Sequence, residues 1–188
     1  MKSLKTIQIL SKIGKVLSTI AYIFNMIGMI GGIVGIVLLS IFGEKAIVGI
    51  QDAAKDLDDA SVLQSVEKIS IPMLSTTIAV AILFCIAGVI IAARAKRYFK
   101  NELEDGTPFT LRGAKELKSL GILYIALHLG VSVIAAIAVE IIGKYVEGLG
   151  DINYSDGSIG LGIAFLVVSV ICKLGAEMTE KKEAPSAE

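Results

Sequence analysis

The residues best suited to chemistry in this sequence of 188 residues are a few polar side chains inside strongly apolar stretches. His128 is the only histidine, and Tyr124 and Ser132 lie one helical turn on either side of it, so the three share one stripe of a helix. Asn25 lies at a similar depth in another apolar stretch, and its amide could hydrogen-bond the imidazole across a helix interface. These four residues form a candidate intramembrane polar site that would sense protons or contact a ligand. The alternative is a histidine that only packs.

The pattern of these residues does not indicate catalysis. One histidine cannot supply a usual zinc site, and neither a HExxH helix nor a Ser-His-Asp set is present. Glu140 lies about 18 Å from His128 along a helix, which is too far for the two side chains to pair. The two cysteines, Cys85 and Cys172, fall inside apolar stretches, where we expect free thiols. The sequence therefore predicts a protein without enzymatic activity, metal or cofactor.

Composition places these residues in a membrane protein. Hydrophobic residues make up 54% of the chain and charged residues 19%, against roughly 25% charged residues in soluble domains. Four apolar stretches are long enough, or nearly so, to cross a hydrocarbon core of about 30 Å. We therefore predict an all-α polytopic membrane protein with four antiparallel transmembrane helices, an outer amphipathic segment and a cytoplasmic helical hairpin. The predicted spans are 16–41, 71–93, 120–142 and 158–174, within one domain over 1–176, and the tail 177–188 is expected to be disordered.

Basic residues predict the orientation of the spans. Three segments, 1–15, 94–119 and the tail from 173, hold 14 of the 18 lysines and arginines. Because such residues favour the cytoplasmic side, both termini and the middle loop should be cytoplasmic in a multi-pass protein of the cell membrane. The first 15 residues form a basic amphipathic helix, which either lies along the inner membrane surface or acts as a plain anchor.

The outward-facing connection 42–70 is acidic. Its apolar residues follow helical spacing, and Asp52, Asp56 and Asp59 lie on another face. This acidic face could be a lid, or a receptor surface for a cationic peptide. The alternative is an ordinary solvated face of a surface helix.

Glycines in the first span predict close helix packing. Two overlapping GxxxG pairs are formed by Gly28, Gly31, Gly32 and Gly35. Because glycine lacks a side chain, another helix can approach closely there. The partner is either a helix of the same bundle or the first span of a second copy in a homodimer.

The middle loop is the most patterned connection. The second span should continue as helix to about Glu104, and Gly106 suits the left-handed position after a helix end. Thr110 is a suitable N-cap for the next helix. The hairpin could bind anionic lipid or a soluble partner, or serve only as an orientation anchor. The candidate contact residues are Arg94, Lys96, Arg97, Lys100, Pro108, Phe109 and Thr110.

The same loop resembles a known family. The run from Asp105 to Thr110, followed by Ala114, Glu116-Leu117 and Leu120-Gly121-Ile122, is similar to the hallmark of small four-span bacterial membrane proteins. That family, catalogued only as a domain of unknown function, typically has a G-x-PFT turn after a basic helix. The sequence departs from it at residues 111–113, where a glycine weakens a helix start and the family commonly has acidic capping residues. The resemblance implies a bacterial cytoplasmic membrane, frequent pairing with a small DNA-binding regulator, and no catalytic residues.

These observations favour a non-enzymatic integral membrane protein that acts through protein or peptide contacts. It would be a sensor, a regulator of a cytoplasmic partner, or an immunity-type factor against a membrane-active peptide. The alternative is a small oligomeric transporter or channel. The expected partners are the lipid bilayer and a cytoplasmic regulator or extracellular peptide, without direct contact to nucleic acid.

Overall fold

The computed structural model describes residues 2–55, 69–145 and 159–183. Within these residues the chain forms four helices: α1 (Lys2–Lys55), α2 (Ile71–Asp105), α3 (Leu111–Gly143) and α4 (Ile159–Glu183). Each helix is long and apolar enough to cross a membrane. The predicted all-α fold of a multi-pass membrane protein is therefore confirmed.

The helices extend beyond the predicted spans. The 54 residues of α1 correspond to about 80 Å of helix, more than twice the hydrocarbon thickness of about 30 Å. This helix includes the basic N-terminal segment without a break, as well as residues 42–55 of the predicted outer segment. The rest of that outer segment, 56–68, lies outside the described residues.

One prediction about the C-terminus is wrong in part. The sequence predicts disorder from 177, but α4 continues as helix to Glu183. Residues 177–183 are mostly strong helix formers, and Lys173 pairs with Glu177 at 3.6 Å one turn apart. A helix that is already nucleated in the span therefore propagates into the tail. Residues 184–188 lie outside the described part of the chain.

Both predicted helix ends in the middle loop are confirmed. Gly106 has a φ of 72°, and its N–H donates to the carbonyl of Glu102 at 3.0 Å, which ends α2. The Oγ1 of Thr110 accepts the N–H of Gly113 at 2.9 Å, which caps α3. A Cβ on Gly113 would lie 3.0 Å from that Oγ1 and 3.2 Å from the carbonyl oxygen of Pro108. Gly113 therefore makes room for the turn.

The described residues group into two compact units. The first contains the described parts of 1–25, 87–129 and 157–188. Its core brings together α2, α3 and α4, with Ile91, Ala95, Phe99 and Phe165 packed against it. The buried core residues are Tyr98, Ala114, Leu117, Leu120 and Cys172.

The second unit contains the described parts of 26–86 and 130–156. Leu39, Val80 and Ala135 are its buried apolar residues. The buried Thr76 donates its hydroxyl to the carbonyl of Pro72 at 2.8 Å. Because its own helix satisfies this hydroxyl, Thr76 can lie in an apolar surrounding at little cost.

The helices present much apolar surface to the outside. In α1, only 11% of the most apolar stretch is buried, and Phe24 is 70% exposed. Apolar surface of this extent is rare on a soluble monomer and is what lipid chains cover. The surface therefore supports the assignment of the helices to a bilayer.

Candidate functional site

The basic hairpin, defined as residues 94–119, comprises the end of α2, the turn 106–110 and the start of α3. Seven of the twelve residues in 94–105 are charged. A charged side chain near the bilayer centre costs at least about 2.5 kcal/mol. This part of α2 must therefore lie beyond the hydrocarbon core, and the hairpin projects from the membrane.

A polar clamp fixes the two arms of the basic hairpin to each other. Asn101, which is 8% exposed, donates its Nδ2 to both carboxylate oxygens of Glu116, at 2.7 and 3.0 Å. The Nε of Arg112 contacts the same carboxylate at 3.4 Å. Hydrogen bonds to a charged group contribute about 1.5–3 kcal/mol when partly buried. The clamp therefore holds α2 and α3 in one register.

A second polar group lies where the basic hairpin meets α1. The carboxyl of Glu102 lies near the hydroxyl of Tyr98 on its own helix and that of Ser11 on α1, and the Ser11 hydroxyl donates to the carbonyl of Ile7 at 2.9 Å. Burial raises the pKa of Glu102, although these two hydroxyls oppose the effect. Burial and the nearby Glu102 carboxylate raise the pKa of Tyr98 far above its usual range. Tyr98 is therefore neutral and acts as a donor.

Sequence reasoning missed the clamp and the Glu102 group. Asn101 and Glu116 lie at nearly equal distances from the turn along the chain, which places them opposite each other in a hairpin. The clamp could have been predicted from that spacing. No spacing in the sequence predicts the position of Glu102 beside Ser11, because the two residues are 91 residues apart.

The turn residues among the predicted contacts have structural partners. Thr110 caps α3, and the N–H of Phe109 donates to Thr107 Oγ1 at 3.2 Å. The Phe109 ring lies against Gly175 of α4 and is still 39% exposed. Pro108 is half-buried in the same turn. These three residues shape the turn, and only the Phe109 ring also offers substantial exposed surface.

The predicted basic contacts remain exposed. Lys100 pairs with Glu104 at 3.6 Å, and Lys96 lies 6.0 Å from the centre of the Tyr22 ring. Among the described residues, Arg94 and Arg97 form no ion pair with an acid. Both line a cleft of about 150 Å³ between α2 and α3. The hairpin therefore presents exposed cations on a backbone of defined geometry.

The predicted intramembrane polar residues are half-buried. Asn25 donates its Nδ2 to the carbonyl of Ala21 at 2.8 Å, and its side chain lies directly against Gly88 of α2. Tyr124 stacks on His128 with ring centres 6.2 Å apart and meets Phe165 of α4 edge-on at 6.4 Å. Ser132 follows one turn later in α3. A hydrogen bond between Asn25 and His128 stays a prediction.

Three of the four glycines predicted to pack in α1 face α2 of the same chain. Gly28 lies against the Sγ of Cys85 and Gly32 against Ile82. Gly35 approaches Ile78, and a Cβ on Gly31 would meet nothing within 4 Å. These contacts support packing within one bundle. Both cysteines are free thiols.

The outer acidic face is only partly described. Asp52 is exposed near the end of α1, whereas Asp56 and Asp59 lie outside the described residues. In the described part of the chain no group of three His, Cys, Asp or Glu side chains could hold a metal ion. The acidic face stays a prediction.

Comparisons with family models, curated proteins and solved structures find no match to the chain. The resemblance of the middle loop to the four-span family with the G-x-PFT turn therefore stays a prediction.

Proposed function

We propose that this multi-pass membrane protein acts by binding a soluble protein with an acidic surface through its basic hairpin, and not by catalysis. One observation carries the proposal: the hairpin backbone is fixed from several sides, while its basic side chains stay exposed. The polar clamp fixes the arms, Gly106 and Thr110 fix the turn, and Phe109 packs on α4.

A fixed hairpin favours binding because little conformational entropy is lost when a partner docks. A plain orientation anchor requires only positive charge near the membrane and no defined geometry. Exposed cations on this fixed backbone add electrostatic complementarity, which speeds association with an acidic surface and disfavours association with a basic one.

The side of the membrane narrows the choice of partner. The distribution of lysine and arginine supports a cytoplasmic hairpin, so the partner would be a cytoplasmic protein. A regulator or sensor accounts for the hairpin better than an immunity-type factor does, because the latter would use the outer acidic face. The family resemblance supports a small DNA-binding regulator as the partner.

The test is affinity capture after crosslinking in intact membranes, followed by mass spectrometry. A variant with Lys96→Gln, Arg97→Gln and Lys100→Gln removes three exposed cations and leaves the clamp intact. The matched control, Lys96→Arg, Arg97→Lys and Lys100→Arg, retains the charge. Normal insertion of both variants is checked by protease protection.

We expect an acidic soluble protein to be recovered with the native chain and the control variant, with recovery by the glutamine variant reduced at least about tenfold. Three charge contacts at about 0.5–1 kcal/mol each give that order of magnitude. Equal recovery with the glutamine variant would contradict the proposal. Recovery of only the chain itself, as a defined oligomer, would also contradict it and would favour the transporter or channel alternative.

A further inference from the structure

An open groove of about 620 Å³ lies between the start of α3 and the second half of α4. All of its lining residues belong to the first unit. Its volume falls within the range of about 300–1,000 Å³ that is typical of small-molecule sites. The groove can therefore hold one ligand, or part of a lipid molecule.

The floor of the groove is apolar. Ala114 and Ser169 are each 4% exposed and have small side chains, which leave the space between the helices unfilled. Ser169 donates its hydroxyl to the carbonyl of Leu166 at 2.6 Å, so it offers no free donor to a ligand. The walls are formed by Leu111, Leu166, Val170 and Leu174. Such a lining suits a hydrocarbon chain.

The rim of the groove is basic. Lys115 and Lys118 line it from α3, and Lys173 lines it from α4 beside Glu177. Lys173 and Glu177 pair at 3.6 Å and neutralise each other. Within the described residues, Lys115 and Lys118 form no ion pair. The rim therefore carries two uncompensated positive charges.

The groove crosses the boundary between apolar and charged sequence. Leu166 and Val170 lie inside the fourth predicted span, whereas Leu111, Lys115 and Glu177 lie in the charged segments beyond the spans. A phospholipid has the same arrangement, with acyl chains in the hydrocarbon and a headgroup at the interface. The exposed side chain of Val170 (58%) would meet the acyl chain.

We propose that this groove binds one anionic phospholipid, with an acyl chain on the apolar floor and the phosphate headgroup between Lys115 and Lys118. The two lysines distinguish an anionic headgroup from a zwitterionic one. This proposal is independent of the protein partner that we propose for the basic hairpin, because that partner would contact Lys96, Arg97 and Lys100 on the other arm.

The first test is native mass spectrometry of the purified chain with dioleoyl phosphatidylglycerol or dioleoyl phosphatidylcholine. The native chain should retain phosphatidylglycerol at least about fivefold better, since one lysine near an anionic headgroup contributes about that factor. The variant Lys115→Gln/Lys118→Gln should lose the preference. The matched control Lys96→Gln/Lys100→Gln, which removes the same charge from the other arm, should keep it. No preference in the native chain, or an unchanged preference in Lys115→Gln/Lys118→Gln, would overturn the proposal.

The second test locates the lipid. The sequence contains no tryptophan, so Val170→Trp introduces a single fluorophore in the groove. Ile13→Trp is the control, at an exposed position of α1 next to the contact of Gly14 with Phe99 of the basic hairpin. Brominated phosphatidylglycerol at low fraction in phosphatidylcholine vesicles should quench Val170→Trp more strongly than Ile13→Trp. Equal quenching would overturn the proposal. Absence of quenching at Val170→Trp would do the same.

Discussion

Single polar residues in the apolar helices are satisfied mainly by their own helix. The hydroxyls of Ser18, Thr19 and Ser40 donate to carbonyls one turn earlier, at 2.7 to 2.9 Å. Asn25 does the same, and its larger side chain fits because it lies on Gly88 of the neighbouring helix. Gly88 and Asn25 therefore form a size-matched pair whose members should depend on each other.

The substitution Gly88→Ala should destabilise the protein by about 1–3 kcal/mol, because the new methyl group would overlap the Asn25 amide. Adding Asn25→Ala should recover much of this loss, which thermal unfolding in detergent micelles would measure. Gly31→Ala is the control and should be neutral or slightly stabilising, since nothing lies within 4 Å of its position. If the double variant lost as much stability as the sum of the losses in Gly88→Ala and Asn25→Ala, the pairing of the two residues would be contradicted.

Glu102 should make the stability of the first unit depend on pH. Its pKa is raised in the folded state, chiefly by burial. Its contribution to folding is therefore fully present below the ordinary glutamate pKa of about 4.3 and is lost as the pH rises through the raised value. Replacement of Glu102 by glutamine, which stays neutral, should remove this dependence of stability on pH.

Melting temperatures of the native chain and of Glu102→Gln, measured between about pH 4 and pH 8, test this effect. The native chain should lose stability relative to the variant as the pH rises. Glu104→Gln, at an exposed position on the same helix, is the control and should follow the native profile. If the melting temperatures of the native chain and of Glu102→Gln changed in parallel with pH, burial of the Glu102 carboxyl would not make stability depend on pH.

At the scale of elements, the basic hairpin depends on contacts between its arms. Tyr98, Ala114 and Leu117 bury the apolar side of the hairpin, and Asn101 with Glu116 forms the polar side. The apolar contacts tolerate small shifts, whereas the hydrogen bonds require one register. The clamp is therefore the feature that gives the basic surface a fixed geometry.

The substitution Asn101→Ala should loosen the basic hairpin while the spans stay folded. Removing the amide leaves the half-buried Glu116 carboxylate without its shortest hydrogen bonds, at a cost of about 1–3 kcal/mol. Hydrogen exchange followed by mass spectrometry should show faster exchange in 94–119. Lys100→Ala, which removes an exposed ion pair with Glu104, should change exchange much less. Unaltered exchange in Asn101→Ala would show that the clamp is not needed.

Local chemistry made some of these elements predictable. Gly106 and Thr110 mark the helix ends through their own backbone and side-chain preferences, and both ends are confirmed. The polar composition of 177–188 predicts disorder, but the helix continues to Glu183 because residues 177–183 are mostly good helix formers. The clamp and the lipid groove depend on the packing of different helices, which neither propensity nor periodicity specifies.

At the scale of the whole molecule, composition was enough to predict the architecture. Long apolar stretches can satisfy their backbone in a bilayer only as helices or closed barrels, and these stretches lacked the alternation of barrel strands. The four helices found in the described residues confirm this prediction. The orientation rests on the lysine and arginine distribution and is tested separately.

Labelling of single cysteines should show that the two ends of the spans face opposite compartments. In a Cys85→Ala/Cys172→Ala background, a cysteine introduced by Tyr145→Cys, at a position 87% exposed, should react with an impermeant maleimide in intact cells. A cysteine introduced by Glu104→Cys should react only after permeabilisation, because the positive-inside rule places the basic hairpin in the cytoplasm. The reverse pattern would contradict the predicted orientation.

The most direct test of the central claim is photo-crosslinking from single positions in living cells. A photoreactive residue replaces Arg97 or Lys100 on the exposed face of the basic hairpin, and Tyr145 beyond the other end of α3 is the control. The proposed function predicts that one soluble acidic protein crosslinks from both hairpin positions and not from Tyr145. Crosslinks from the hairpin to lipid or to a second copy alone would contradict it.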